Sequence, residues 1–103
     1  MNIQINKEDI ESRLISIISN SLRIDKENIT PDSRIINDLN AESLDILDIR
    51  FSIEQEFGFK MGEHELFDAV VDGMSRTEFS EIFTVLNLTD FVESKFQTLI
   101  LQK

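Results

Sequence analysis

The side chains able to do chemistry are concentrated in residues 38–45, Asp-Leu-Asn-Ala-Glu-Ser-Leu-Asp. Ser43 stands there among carboxylates, where a stretch without periodicity gives way to a helical one. One reading makes its hydroxyl an N-cap, accepting an otherwise unpaired backbone N–H. The other makes it an attachment point, because a hydroxyl at a helix N-terminus lies beside free N–H groups and a partial positive charge that suit a phosphodiester on its oxygen. Nucleophilic catalysis is disfavoured: the one histidine, His64, sits between Glu63 and Glu65, and no spacing ties it to Ser43 as a base. An EF-hand loop fails too. Asp38, Asn40 and Glu42 fit positions one, three and five, but position six is Ser43 instead of Gly and position twelve is Ile49 instead of Glu. With no second His and no Cys near it, His64 reads as an exposed helix residue, and no metal ligand set is expected.

The elements that must position this stretch follow from apolar spacing. Ile10, Leu14, Ile17, Ile18 and Leu22 recur at helical period, with Asn6 as N-cap and Glu8 and Asp9 in the first turn, predicting helix one over 7–21. From 22 to 42 the period fails around Thr30-Pro31-Asp32, leaving a long loop pinned by Ile24, Ile29, Ile35, Ile36 and Leu39. Helix two is expected over 43–57, ending at Gly58, with Ile46, Ile49, Ile53 and Phe57 as its buried stripe and Leu47 beside it. Leu44, Asp48, Phe51 and Gln55 fall on a different face, so Leu44 and Phe51 are left without core partners. Residues 62–83 carry weaker helical signals, with Phe79, Ile82 and Phe83 read as facing inward. A last helix over 84–101 presents Leu88, Phe91, Val92, Phe96 and Leu99.

The 103 residues suit one domain, 1–103, and exclude a multi-domain enzyme. Twenty acidic residues against ten Lys and Arg give a net charge of −10, which repels nucleic acid and anionic membranes and favours basic partners. The absence of Cys removes disulfides and thiol nucleophiles, so thiol chemistry would have to be imported. No apolar run suits a membrane span and the first residues lack a signal-peptide pattern, so the expected location is the cytoplasm, without stable membrane insertion.

Residues 38–45 resemble the Asp-Leu-Gly-Ala-Asp-Ser-Leu-Asp motif of acyl carrier proteins. Upstream, Ile29-Thr30-Pro31-Asp32-Ser33 is similar to that family's loop after the first helix; downstream, Ser52-Ile53-Glu54-Gln55-Glu56-Phe57-Gly58 is similar to the end of its second helix. The resemblance covers about residues 10–61 and, more weakly, 84–96. It implies an all-α, small four-helix bundle of acyl-carrier type, with a long loop between helices one and two. It also implies that Ser43 receives 4'-phosphopantetheine from coenzyme A, whose thiol then holds an acyl group as a thioester for fatty-acid, lipid or polyketide-type biosynthesis. Such a protein is not an enzyme. Glu42 stands where the motif has Asp, Asn40 where it has Gly, and Arg50 interrupts an acidic or apolar surface. Residues 62–83 are longer than the family's short third helix and read as an enlarged helix-three region.

The implied partners are a phosphopantetheinyl transferase and acyl-loading and acyl-processing enzymes with basic docking patches, met by a monomeric carrier. Between 38 and 65, Asp38, Glu42, Asp45, Asp48, Glu54, Glu56, Glu63 and Glu65 face only Arg50 and Lys60. An acidic run is often no more than a solvated face. Beside an attachment serine, Glu42, Leu44, Asp45, Asp48, Phe51 and Glu54 form a candidate docking surface of charges around apolar anchors. The competing reading is an unmodified acidic interaction module with a carrier-like fold.

Overall fold

The computed structural model describes residues 6–61 and 82–101. Helix α1 spans Lys7–Leu22. Asn6 caps it as the sequence suggests, its Oδ1 accepting the Asp9 N–H at 2.8 Å. Ile10, Leu14, Ile17 and Ile18 form its buried face. At the far end Arg23 takes a left-handed conformation (φ 59°) and its N–H reaches the Ser19 carbonyl, while the Ser19 hydroxyl donates to the Ile24 carbonyl at 2.5 Å. This closes the helix without glycine, the side-chain bond adding to the backbone one.

The chain from 23 to 42 contains a short 3-10 turn, Lys26–Asn28, and is held from below by Ile29 and Ile35, both buried, with Ile24, Ile36 and Leu39 packed partly against the core. Helix α2 spans Ser43–Phe57 and stops at Gly58, whose φ of 76° is a left-handed conformation that glycine adopts without Cβ strain. Helix α3 spans Val85–Leu101. Thr84 and Asn87 bracket its start, each side-chain oxygen accepting the other residue's backbone N–H.

α1 packs against both α2 and α3. Ile10, Leu14, Ile18, Ile53, Leu88 and Val92 are fully enclosed at their meeting, each such side chain contributing about 1.5–3 kcal/mol relative to exposure. Phe57, Phe59 and Phe96 close one end of the core: Phe96 meets the other two edge-on at 5.6 and 5.9 Å between ring centroids.

Sequence periodicity did not foresee a short antiparallel contact between the first loop and the start of α3. Arg34 and Thr84 form an isolated β-bridge. Ile35 N–H donates to the Phe83 carbonyl at 2.9 Å, Val85 N–H to Ser33 at 3.1 Å, and Leu86 N–H to Pro31 at 2.9 Å. Among the described residues the architecture is otherwise all-helical. The expectations for residues 62–81, those for His64 and Phe79 among them, lie outside the described residues. Of the two neighbours that are described, Phe83 is buried as expected. Ile82 is a correction: it is 39% exposed, since the chain turns at Phe83 to make the bridge and only the latter side chain enters the core.

Candidate functional site

Three backbone devices deliver the chain to Ser43. Arg34 and Asp38 close a turn, Arg34 N–H donating to Asp38 Oδ2 at 2.8 Å while the Arg34 carbonyl accepts the N–H groups of Asp38 and Leu39 at 2.8 and 3.0 Å. The Arg34 guanidinium lies on the same carboxylate and, with the backbone N–H, holds the Asp38 carboxyl below the ordinary carboxylate range. Asn40 then adopts φ 61°. This explains the departure from glycine at that motif position: the turn requires a left-handed residue, and asparagine is among the few non-glycine residues that tolerate it. Ala41 follows, buried, with its N–H on the Ile35 carbonyl at 3.2 Å.

The expected capping role of Ser43 is corrected. Glu42 is the N-cap, extended at φ −96° and ψ 172°, and its carbonyl accepts the first helical N–H, from Ile46, at 2.9 Å. Asp45 reaches back so that Oδ2 accepts the Glu42 N–H at 2.9 Å. Ser43 is therefore the first helical residue. Its side chain is exposed, and no described residue hydrogen-bonds its hydroxyl. The backbone N–H groups of Ser43 and Leu44 also lack a partner among the described residues, as first-turn donors do, and give this end a partial positive charge. An exposed hydroxyl beside the first-turn N–H donors fits a covalently held phosphodiester; a hydroxyl engaged as a cap would not be as available.

The expected docking residues are only partly brought together. Leu44 is 78% exposed and Phe51 58% exposed, on the side of α2 away from the buried Ile49 and Ile53. Leu47 joins them. Expected beside the buried stripe, it is instead 50% exposed, because i, i+3 and i+7 spacing puts it between Leu44 and Phe51. That spacing was the signal that could have found it. Asp48 borders this apolar patch, but its Oδ2 accepts the Ser21 hydroxyl at 2.7 Å, tying α2 to α1. Glu54 stands apart from the patch: its Oε2 accepts the Met61 N–H at 2.8 Å and orders the turn after α2. Glu42 and Asp45 remain at the head of the helix, Asp45 as part of the cap.

Between α1 and α2 lies an open groove of about 400 Å³, lined by Ile17, Ser21, Asp48, Phe51, Ser52 and Gln55 among others. Below it, Arg13 pairs with Asp9 at 3.1 Å and with Glu56 at 3.2 Å, its guanidinium 6.0 Å from the centre of the Phe57 ring. No group of three or more potential ligands among the described residues is arranged to hold a metal ion. None of the described helices is long and apolar enough to cross a membrane.

Comparison with known proteins bears on the whole of this region. The phosphopantetheine attachment site family matches residues 12–71. The acyl carrier protein of Coprothermobacter proteolyticus is 33% identical over 92 residues, covering 89% of this chain and 96% of that protein. The acyl carrier protein of Thermotoga maritima is 32% identical over 90 residues, 87% of this chain and 95% of that one. Acyl carrier protein AcpXL of Rhizobium meliloti is 41% identical over 76 residues, 74% of this chain and 78% of that one. With the family's attachment region matched across α1, the loop and α2, and relatives aligned over most of their length, the chain belongs to the acyl carrier proteins, which are carriers and not enzymes and bear 4'-phosphopantetheine covalently.

Proposed function

We propose that Ser43 is the residue that bears the arm, and that the protein holds acyl intermediates on it as thioesters for fatty-acid, lipid or polyketide-type biosynthesis. The observation that carries this reading is the Ser43 hydroxyl itself, exposed and without a hydrogen bond to any described residue, at the first position of α2 within the motif-like stretch 38–45. When joined, the arm supplies the thiol that a chain without cysteine lacks. The chain's own contribution is positional: the turn at Arg34–Asp38, the left-handed Asn40 and the Asp45 cap hold the serine out at the head of the helix. No described group is placed to take the proton of that hydroxyl, so its activation falls to a phosphopantetheinyl transferase.

Leu44, Leu47 and Phe51 supply apolar anchors for that enzyme and for the acyl-loading and acyl-processing enzymes, with Glu42, Asp45 and Asp48 attracting their basic patches. Contacts of this kind speed encounter, weaken with salt and leave the complex short-lived. The chain is a single four-helix domain of acyl-carrier type and acts as a monomer in the cytoplasm.

The test is incubation of the apo protein with coenzyme A and a broad-specificity transferase, followed by intact-mass measurement. Wild type should gain one phosphopantetheine mass and Ser43→Ala none. A protein that stays bare with several transferases is an unmodified interaction module instead.

A further inference from the structure

Hydrogen bonding around the turn ahead of Ser43 converges on one pair of side chains. Besides the backbone bonds already described, Arg34 Nη2 meets Asp38 Oδ1 at 2.9 Å and Nε lies 3.2 Å from each carboxylate oxygen. Arg34 thus engages the turn with its N–H, its carbonyl and its guanidinium. The next residue, Ile35, is fully buried and takes a bond from each direction, donating to Phe83 and accepting from Ala41. The turn is anchored below by a core side chain and closed above by a bidentate ion pair, a geometry that adds direction as well as attraction. Both charged side chains are about half exposed, so the pair does little for global stability. Its effect is local, on the four residues that separate Asp38 from Ser43.

We infer that Asp38, clamped by Arg34, is a positioning residue for the loading of Ser43, holding residues 34–41 in the turn that a phosphopantetheinyl transferase must meet. The inference rests on Ser43 as the attachment residue. With the clamp opened, only a fraction of molecules present the serine in the competent arrangement, and apparent affinity falls by that fraction. Once the carrier is bound, the turn is re-formed and the chemical step is unchanged. The loss therefore belongs in KM and not in kcat.

The experiment measures initial loading rates against carrier concentration, with coenzyme A and one transferase, for the full-length apo protein and for Asp38→Asn, Arg34→Gln, Arg34→Lys and the Asp38→Asn/Arg34→Gln double variant. Helix content by circular dichroism is recorded for each. A competent fraction of about 0.1–0.3 raises KM about three- to tenfold with kcat little changed. Arg34→Lys, which keeps the charge but loses the fork, should fall between wild type and Arg34→Gln. The double variant should be no worse than the worse single one, because each change opens the same clamp. Unchanged KM in the single variants overturns the inference. So do losses that multiply in the double variant, which would mean separate contacts of each side chain with the transferase. Should Asp38→Asn lose its helix content, the two Arg34 variants decide by the same criterion. Loading that persists in Ser43→Ala refutes the attachment reading itself, a result distinct from any change in KM.

Discussion

Replacing Ser43 and Asp45 by alanine, one at a time, separates two accounts of the head of α2. If Ser43 were the N-cap, its loss would cost about 0.5–2 kcal/mol. The structure gives that position to Glu42 and the capping bond to Asp45, whose carboxylate holds the Glu42 N–H at 2.9 Å. Ser43→Ala removes no hydrogen bond to any described residue and introduces the best helix former, so its stability should stay within about 0.5 kcal/mol of wild type. Asp45→Ala removes the bond and an acidic group from the positive end of the helix, a loss of about 1–2 kcal/mol. At about 4–8 °C per kcal/mol for a domain near this size, Asp45→Ala should lower Tm by roughly 4–16 °C while Ser43→Ala leaves it nearly in place. Thermal and urea melts of the apo proteins read both. A Ser43→Ala destabilisation as large as that of Asp45→Ala would refute the assignment of the cap to Glu42 and Asp45.

Phe96→Ala should cost about 2–4 kcal/mol in urea melts, since it empties the edge-on contacts with Phe57 and Phe59 that seal one end of the core. Leu47→Ala and Phe51→Ala should leave Tm almost unchanged, both side chains being half exposed or more, yet raise the KM of partner enzymes for the carrier; unaltered transfer kinetics in both would exclude that face. In acid, the Asp38 carboxyl is held below its usual value of 3.8, so its contribution to stability is present above that pH and disappears as pH falls through the lower, folded value. Asp38→Asn should therefore flatten only a small part of the stability loss below pH 4, both partners being about half exposed. Lys7 behaves oppositely: paired with Asp90 at 2.7 Å, its pKa is raised above 10.5, so its contribution holds below that pH and is lost as pH rises through the folded value, a loss that Asp90→Asn should reduce, Glu93 and Glu11 supplying the remainder.

What could be read from the chain alone was local. The stripe Ile10, Leu14, Ile17 and Ile18, the Asn6 cap and the stop at Gly58 each depend on residues within a turn or two, and sequence spacing carries that information. Ser43 could be singled out because its neighbours resemble a motif, but its role as cap could not be settled from residue preference. Serine favours that position more than glutamate does, and only the backbone angles of Glu42 and the reach of Asp45 decide against it.

The contacts that were missed are long-range or depend on side-chain direction. Nothing near Pro31–Ile35 in sequence announces that Phe83–Leu86 will lie against it. Charge alone likewise does not tell that Asp48 will hold Ser21, or that Glu54 will turn back to Met61 instead of facing a partner. Asn40 shows the converse. A departure from the motif at the level of residue type proves conservative once its left-handed backbone is known.

Whether Ser43 bears the arm is decided by peptide mapping with tandem mass spectrometry on the protein purified from its source cells. Phosphopantetheine, free or acylated on its sulfur, is expected on the peptide containing Ser43 and at that residue. A modification found consistently at a different serine, or a bare Ser43 peptide in cells with active transferase, would contradict it.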